Sequence, residues 1–158
     1  MDLLNLMHTA TSSDNIDISS EKQTEELAKK ICTKLKLGDV VFLYGEIGVG
    51  KTTFVKNLIN CYQRKNKIQL SEVTSPTYNI LNEYNVNEIK INHYDLYRLK
   101  IKEELNDFNI FGDNSDTITL IEWPQIIKKK PKNLIEFSFK YDDDYKKRYV
   151  QIKGLILN

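Results

Sequence analysis

A chain of 158 residues, 41% of them hydrophobic and 28% charged, is sized and composed for one globular domain with a sizeable core. Its 23 basic and 22 acidic side chains leave a formal net charge of +1, which excludes a protein that holds nucleic acid by bulk charge alone. No apolar run approaches the ~18 residues of a membrane span. The N-terminus lacks the basic stretch of a signal peptide, and Cys32 and Cys61, without metal-ligand spacing, read as buried reduced thiols suited to the cytoplasm.

Residues 1–18 read as a loose leader before a single domain at 19–158, with Asn15-Ile16-Asp17-Ile18 alternating as a short edge strand does. Ser20-Glu21-Lys22-Gln23 is a capping box that opens a helix. Leu27, Ile31 and Leu35 recur along it every four residues, and Leu37-Gly38 ends it. Val40-Val41-Phe42-Leu43-Tyr44 follows as a buried, β-prone run.

The next eight residues, Gly45-Glu46-Ile47-Gly48-Val49-Gly50-Lys51-Thr52, read G-x-x-x-x-G-K-T, the phosphate-binding P-loop. Strand before and helix after give the pattern its required context. Glycines let the backbone bend sharply and bring its N–H groups close to an anion. The helix N-terminus adds further N–H groups. Lys51 supplies a cation for the β- and γ-phosphates, and the Thr52 hydroxyl is a Mg²⁺ ligand.

Beyond the P-loop helix, residues 62–71 form a Lys-rich helix end and surface loop, and Thr74-Ser75-Pro76-Thr77 a hydroxyl-rich turn. Tyr78–Tyr84 and Ile89–Asp95 read as strands whose short connection makes an antiparallel hairpin. A short helix is expected near Lys102 to Asp107, a buried strand over Thr117–Ile121, a solvated lysine turn at 128–130, and two last strands over Leu134–Tyr141 and Arg148–Ile156. Together these elements predict an α/β, P-loop NTPase-like three-layer sandwich with a mixed, mostly parallel sheet and an antiparallel hairpin.

Hydrolysis also needs an acid to hold the Mg²⁺ shell or to align the attacking water. Such groups lie at the carboxyl ends of strands in α/β sheets. Asp95 and Glu122 both close strands, and either could orient the water. No N-K-x-D segment follows late in the chain, which favours ATP over GTP.

These segments together resemble the TsaE (YjeE) family, the small bacterial ATPase of tRNA threonylcarbamoyladenosine synthesis. The resemblance runs from Ser20 to Gly154 and is carried by Thr52-Thr53-Phe54 in the P-loop, Ser75-Pro76-Thr77-Tyr78, His93-Tyr94-Asp95-Leu96-Tyr97-Arg98-Leu99 and Ile121-Glu122-Trp123-Pro124. It implies ATP and Mg²⁺ as cofactors and the TsaB–TsaD pair as partner in modifying adenosine 37 of tRNA, with tRNA contacted through the complex. It also implies Gly45 and Gly48 to Thr53, including Val49, Gly50 and Lys51, around the phosphates, Thr52 and Glu122 on the metal, Asp95 and Trp123 lining the active site, Thr24 near the base, and Arg148 reaching the nucleotide. The family loop usually reads G-D-L-G-A-G-K-T, so Glu46, Ile47 and Val49 make this one bulkier, and Gln125 stands where a Glu often follows W-P. A small-molecule kinase and a nucleotide-binding module without catalysis are the competing classes. Arg64, Arg98 and Arg148 are too scattered for a kinase lid.

Overall fold

The computed structural model describes residues 13–100, 104–105 and 108–158. Residues 1–12 of the expected leader, and most of the short helix expected near Lys102 to Asp107, lie outside the described residues. The chain forms β1 (Ile16–Asp17), α1 (Glu21–Cys32), β2 (Val40–Tyr44), α2 (Lys51–Lys65), β3 (Leu81–Val86), β4 (Ile89–Asp95), β5 (Thr117–Glu122), a 3₁₀ turn (Pro124–Ile126), β6 (Leu134–Tyr141) and β7 (Arg148–Lys153).

All seven strands join one sheet in the order β1-β7-β6-β2-β5-β4-β3. The inner strands β6, β2, β5 and β4 are parallel neighbours. Antiparallel pairs β3–β4, β6–β7 and β1–β7 finish the two sides. The sheet is therefore mixed, with its parallel pairs at the centre. Residues 13–18, assigned to the leader from the sequence, run along this edge: Ser13 exchanges hydrogen bonds with Ile152, and Ile16 and Asp17 pair with Val150 and Tyr149.

α1 begins at the expected capping box, both halves of which are formed. It ends at Cys32, earlier than the repeat of Leu27, Ile31 and Leu35 suggests. Thr33 closes it, its hydroxyl donating to the Lys30 carbonyl at 2.7 Å, and Leu35 is only partly buried. Both helices lie on one face of the sheet, where Leu27, Ile31, Phe54 and Leu58 pack with Val41, Leu43, Leu120 and Phe137. Among the described residues the opposite layer carries no α-helix. Leu96, Ile110 and Ile127, from the irregular segment after β4 and from the 3₁₀ turn, cover Val40, Phe42, Tyr94 and Ile121.

Strand limits differ in two places. β3 starts at Leu81 rather than Tyr78, because the Ile80 N–H turns back to the Pro76 carbonyl and Ile80 sits at a left-handed φ of 69°. β7 stops at Lys153 because Gly154 takes φ +89°, where a Cβ would lie 2.6 Å from the Leu134 oxygen. Cys32 and Cys61 are buried free thiols, and burial pushes the Cys32 thiol up to about 12.

Candidate active site

The P-loop crosses from β2 to α2 through three glycines in the left-handed region, Gly45 (φ 148°), Gly48 (φ 78°) and Gly50 (φ 115°). Gly45 has no room for a side chain: a Cβ there would sit 2.9 Å from Phe139 and from a Val49 methyl. Val49 is wholly buried, and its N–H closes the loop onto the Glu46 carbonyl at 3.3 Å. The larger side chain thus goes into the core rather than the cradle. Gly50 caps α2, whose first residue is Lys51.

Lys51 is 4% exposed. Its Nζ donates to the Gly45 oxygen at 2.5 Å and the Glu46 oxygen at 2.8 Å, and it stands 4.3 Å from the centre of the Trp123 ring. Burial lowers its pKa below the usual lysine value, against the opposing attraction of Glu122, Asp95 and Glu46. Trp123 has a left-handed φ of 57°, a conformation that costs about 1–3 kcal/mol in a residue with a large side chain. The Tyr97 ring packs on it at 4.9 Å.

Both expected acids reach this place, and the register explains why. β4 and β5 are parallel neighbours with Asp95 opposite Glu122, so the two carboxylates leave the same end of the sheet on the same face. The Thr52 hydroxyl, on the first turn of α2, is 3.0 and 3.2 Å from the two Glu122 oxygens. The buried His93 Nε2 lies 2.8 Å from Glu122 Oε1. Asp95 accepts from the Ser75 and Thr77 hydroxyls on one oxygen and from the Tyr97 N–H on the other. A cavity of about 370 Å³ collects Ile47, Gly48, Gly50, Lys51, Thr52 and Thr53 on one side and Ser75, Thr77, Asp95, Tyr97, Glu122 and Trp123 on the other.

A second cavity, of about 270 Å³, shares Gly50 and Thr53 with the first. Thr24 and Arg148 both line it, with Ile18, Ser20, Glu21 and Lys56. Thr24 is buried, and its hydroxyl donates to the Ser20 carbonyl at 3.2 Å. The Arg148 guanidinium lies over the Tyr141 ring at 5.9 Å. The structure therefore brings every expected site residue to one of two adjoining cavities or to the loop between them.

His93 had no role assigned beyond the motif it sits in, yet it is fully buried against Glu122. Alternation along the strand puts Ile91, His93 and Asp95 on one face, but it does not point to Glu122, which the β4–β5 register brings beside His93.

A family model described as "Threonylcarbamoyl adenosine biosynthesis protein TsaE" matches residues 18–150. The chain belongs to the TsaE family. Relatives named as tRNA threonylcarbamoyladenosine biosynthesis protein TsaE include one from Rickettsia bellii, 39% identical over 131 residues, covering 82% of this chain and 88% of the relative. That of Aquifex aeolicus is 37% identical, covering 75% and 80%, and that of Borreliella burgdorferi is 34% identical, covering 88% and 98%. The crystal structure of Bacillus subtilus YdiB has the same fold, with a TM-score of 0.70 over 94% of this chain and 89% of that one at 24% identity. This TsaE-family chain is thus tied to tRNA threonylcarbamoyladenosine biosynthesis. No helix among its described residues is long and apolar enough to cross a membrane.

Proposed function

We propose that the chain is a Mg²⁺-dependent ATPase of the cytoplasm that serves threonylcarbamoylation of adenosine 37 in tRNA together with the TsaB–TsaD pair. The observation that carries the reading is the Thr52–Glu122 hydrogen bond at 3.0 Å, which joins the phosphate loop's helix to a strand-tip acid inside one cavity.

The donor set fits magnesium. A hydroxyl and a carboxylate, both hard oxygen donors, stand side by side at the P-loop. Among the described residues no group of three or more His, Cys, Asp or Glu is arranged as a cage, and magnesium on a nucleotide uses one or two protein oxygens with phosphate and water. Thr52 and Glu122 would hold the ion, and it would supply positive charge to offset that of the phosphates.

The remaining work falls to side chains. Lys51 leaves the Gly45 and Glu46 carbonyls for the phosphates, an exchange of one set of oxygen acceptors for a more strongly charged one. N–H groups from Gly48 to Thr53 surround the same anion. Asp95, held in place by Ser75, Thr77 and the Tyr97 N–H, orients the attacking water. Trp123 and Tyr97 line the same cavity. Thr24 and Arg148 place the base and ribose in the second cavity.

No arginine among the described residues lines the first cavity, which supports slow hydrolysis by the chain alone. A partner completes the site. Ile47 (68% exposed) and Tyr97 (52% exposed) are apolar surfaces at the cavity's mouth suited to be covered.

The test is phosphate release from ATP and Mg²⁺ by the purified chain, with and without the TsaB–TsaD pair. Slow release alone, faster release with the pair, and free phosphate rather than a phosphorylated acceptor are expected. Absence of ATP binding, or of any release when the pair is present, refutes the proposal.

A further inference from the structure

We infer that His93 is the positioning residue of Glu122: it holds the carboxylate against Thr52 so that the metal-binding pair exists before any ligand arrives. The kinetic consequence rests on the ATPase reading above; the hydrogen bond itself does not.

The geometry leaves the imidazole one useful contact. His93 is fully buried in the middle of β4, with Nε2 2.8 Å from Glu122 Oε1. An ionised carboxylate only accepts hydrogen bonds, so Nε2 carries the proton of this one. Nδ1 is buried with no partner. A buried polar nitrogen left unpaired is costly, and an aliphatic side chain would fill the strand position without that cost. What the histidine provides in exchange is the fixed direction of Glu122.

That direction is contested. Glu122 is 2% exposed, and both its oxygens face the Thr52 hydroxyl. The same cavity holds the Lys51 ammonium, which attracts Glu122 more strongly than a neutral hydroxyl does. A carboxylate that turned to Lys51 would desert Thr52 and tie up the cation meant for phosphate. The Nε2–H anchors Oε1, and Oε1 is the oxygen that also accepts from Thr52 at 3.0 Å. Residues that orient a metal's own ligands typically change metal affinity or activity by roughly 10–100-fold when replaced.

Variants of His93 and Glu122, together with one spectrum, test this. His93→Leu removes the donor, whereas His93→Gln places an amide N–H at similar reach. His93→Leu should leave metal-free nucleotide affinity within roughly 2-fold of the parent, yet raise the Mg²⁺ concentration for half-maximal turnover and lower kcat, each by roughly 10-fold. His93→Gln should recover most of both losses. The double variant with Glu122→Gln should be no slower than Glu122→Gln alone, since one acts through the other. In the unliganded parent, long-range ¹H–¹⁵N spectra should show the Nε2-protonated ring, with ring shifts that move in Glu122→Gln. A ring protonated at Nδ1 and indifferent to Glu122 overturns the proposal, as does a His93→Gln protein no better than His93→Leu. If the parent hydrolyses no ATP, the ATPase reading fails while the spectrum still decides the pairing. If His93→Leu does not fold, the glutamine variant and the spectrum decide it.

Discussion

Lys51 keeps its ammonium buried between two carbonyls and an indole. Replacing it with Ala should weaken ATP binding by roughly 100-fold or more, because the charge-assisted contacts to phosphate go with it; calorimetric titration reads this, and unchanged affinity would remove the phosphate assignment. Burial holds its pKa below the usual value near 10.5. In the alkaline range the folded chain therefore binds fewer protons than the unfolded chain, so this group makes stability climb as pH rises toward 10.5. Nucleotide affinity should move the other way, since phosphate needs the charged form. Titrations in alkaline buffers of differing ionisation enthalpy should reveal proton uptake on binding. Glu122→Gln should spare most of the binding and cut turnover by roughly 10²–10³; a variant that keeps full turnover would shift the metal role to another residue.

Among the elements, the capping box of α1 makes the most direct stability forecast. Ser20→Ala should cost about 1 kcal/mol, which lowers Tm by ~2–4 °C in a domain of this size; a thermal melt measures it. Local signals of this kind were readable from the chain. Ile89–Asp95 and Leu134–Tyr141 form strands with the limits their residues suggest, because apolar runs there are bounded by turn-forming polar residues. The start of β3 was not readable. Tyr78 and Ile80 look β-prone, but the turn that claims them is set by the Pro76 carbonyl and by Asp95, whose N–H reaches the Ile80 oxygen at 2.9 Å. The pairing of His93 with Glu122 was equally hidden, since it depends on the β4–β5 register between segments 29 residues apart. By contrast, the P-loop could be read outright, because its chemistry is carried by backbone and so by consecutive residues.

At the scale of the whole molecule, two cavities meet at Gly50 and Thr53. Under the proposed ATPase reading, the first takes the phosphates and the second the rest of the nucleotide. Arg148→Ala should accordingly raise KM for ATP by roughly 5–10-fold with kcat nearly unchanged, the mark of a contact made equally in ground and transition states. Affinity for inorganic tripolyphosphate, which has no base, should not change. Equal losses for both ligands would place Arg148 on the phosphates instead.

The edge of the sheet has a consequence for synthesis. β1, near the start of the chain, pairs among the described residues only with β7, near its end, and Ile18 and Arg148 on either side of that seam line the second cavity. A ribosome releases the phosphate loop long before it releases the strand that receives β1. The second cavity is thus completed only when the last strand has been made and the two segments are sewn together.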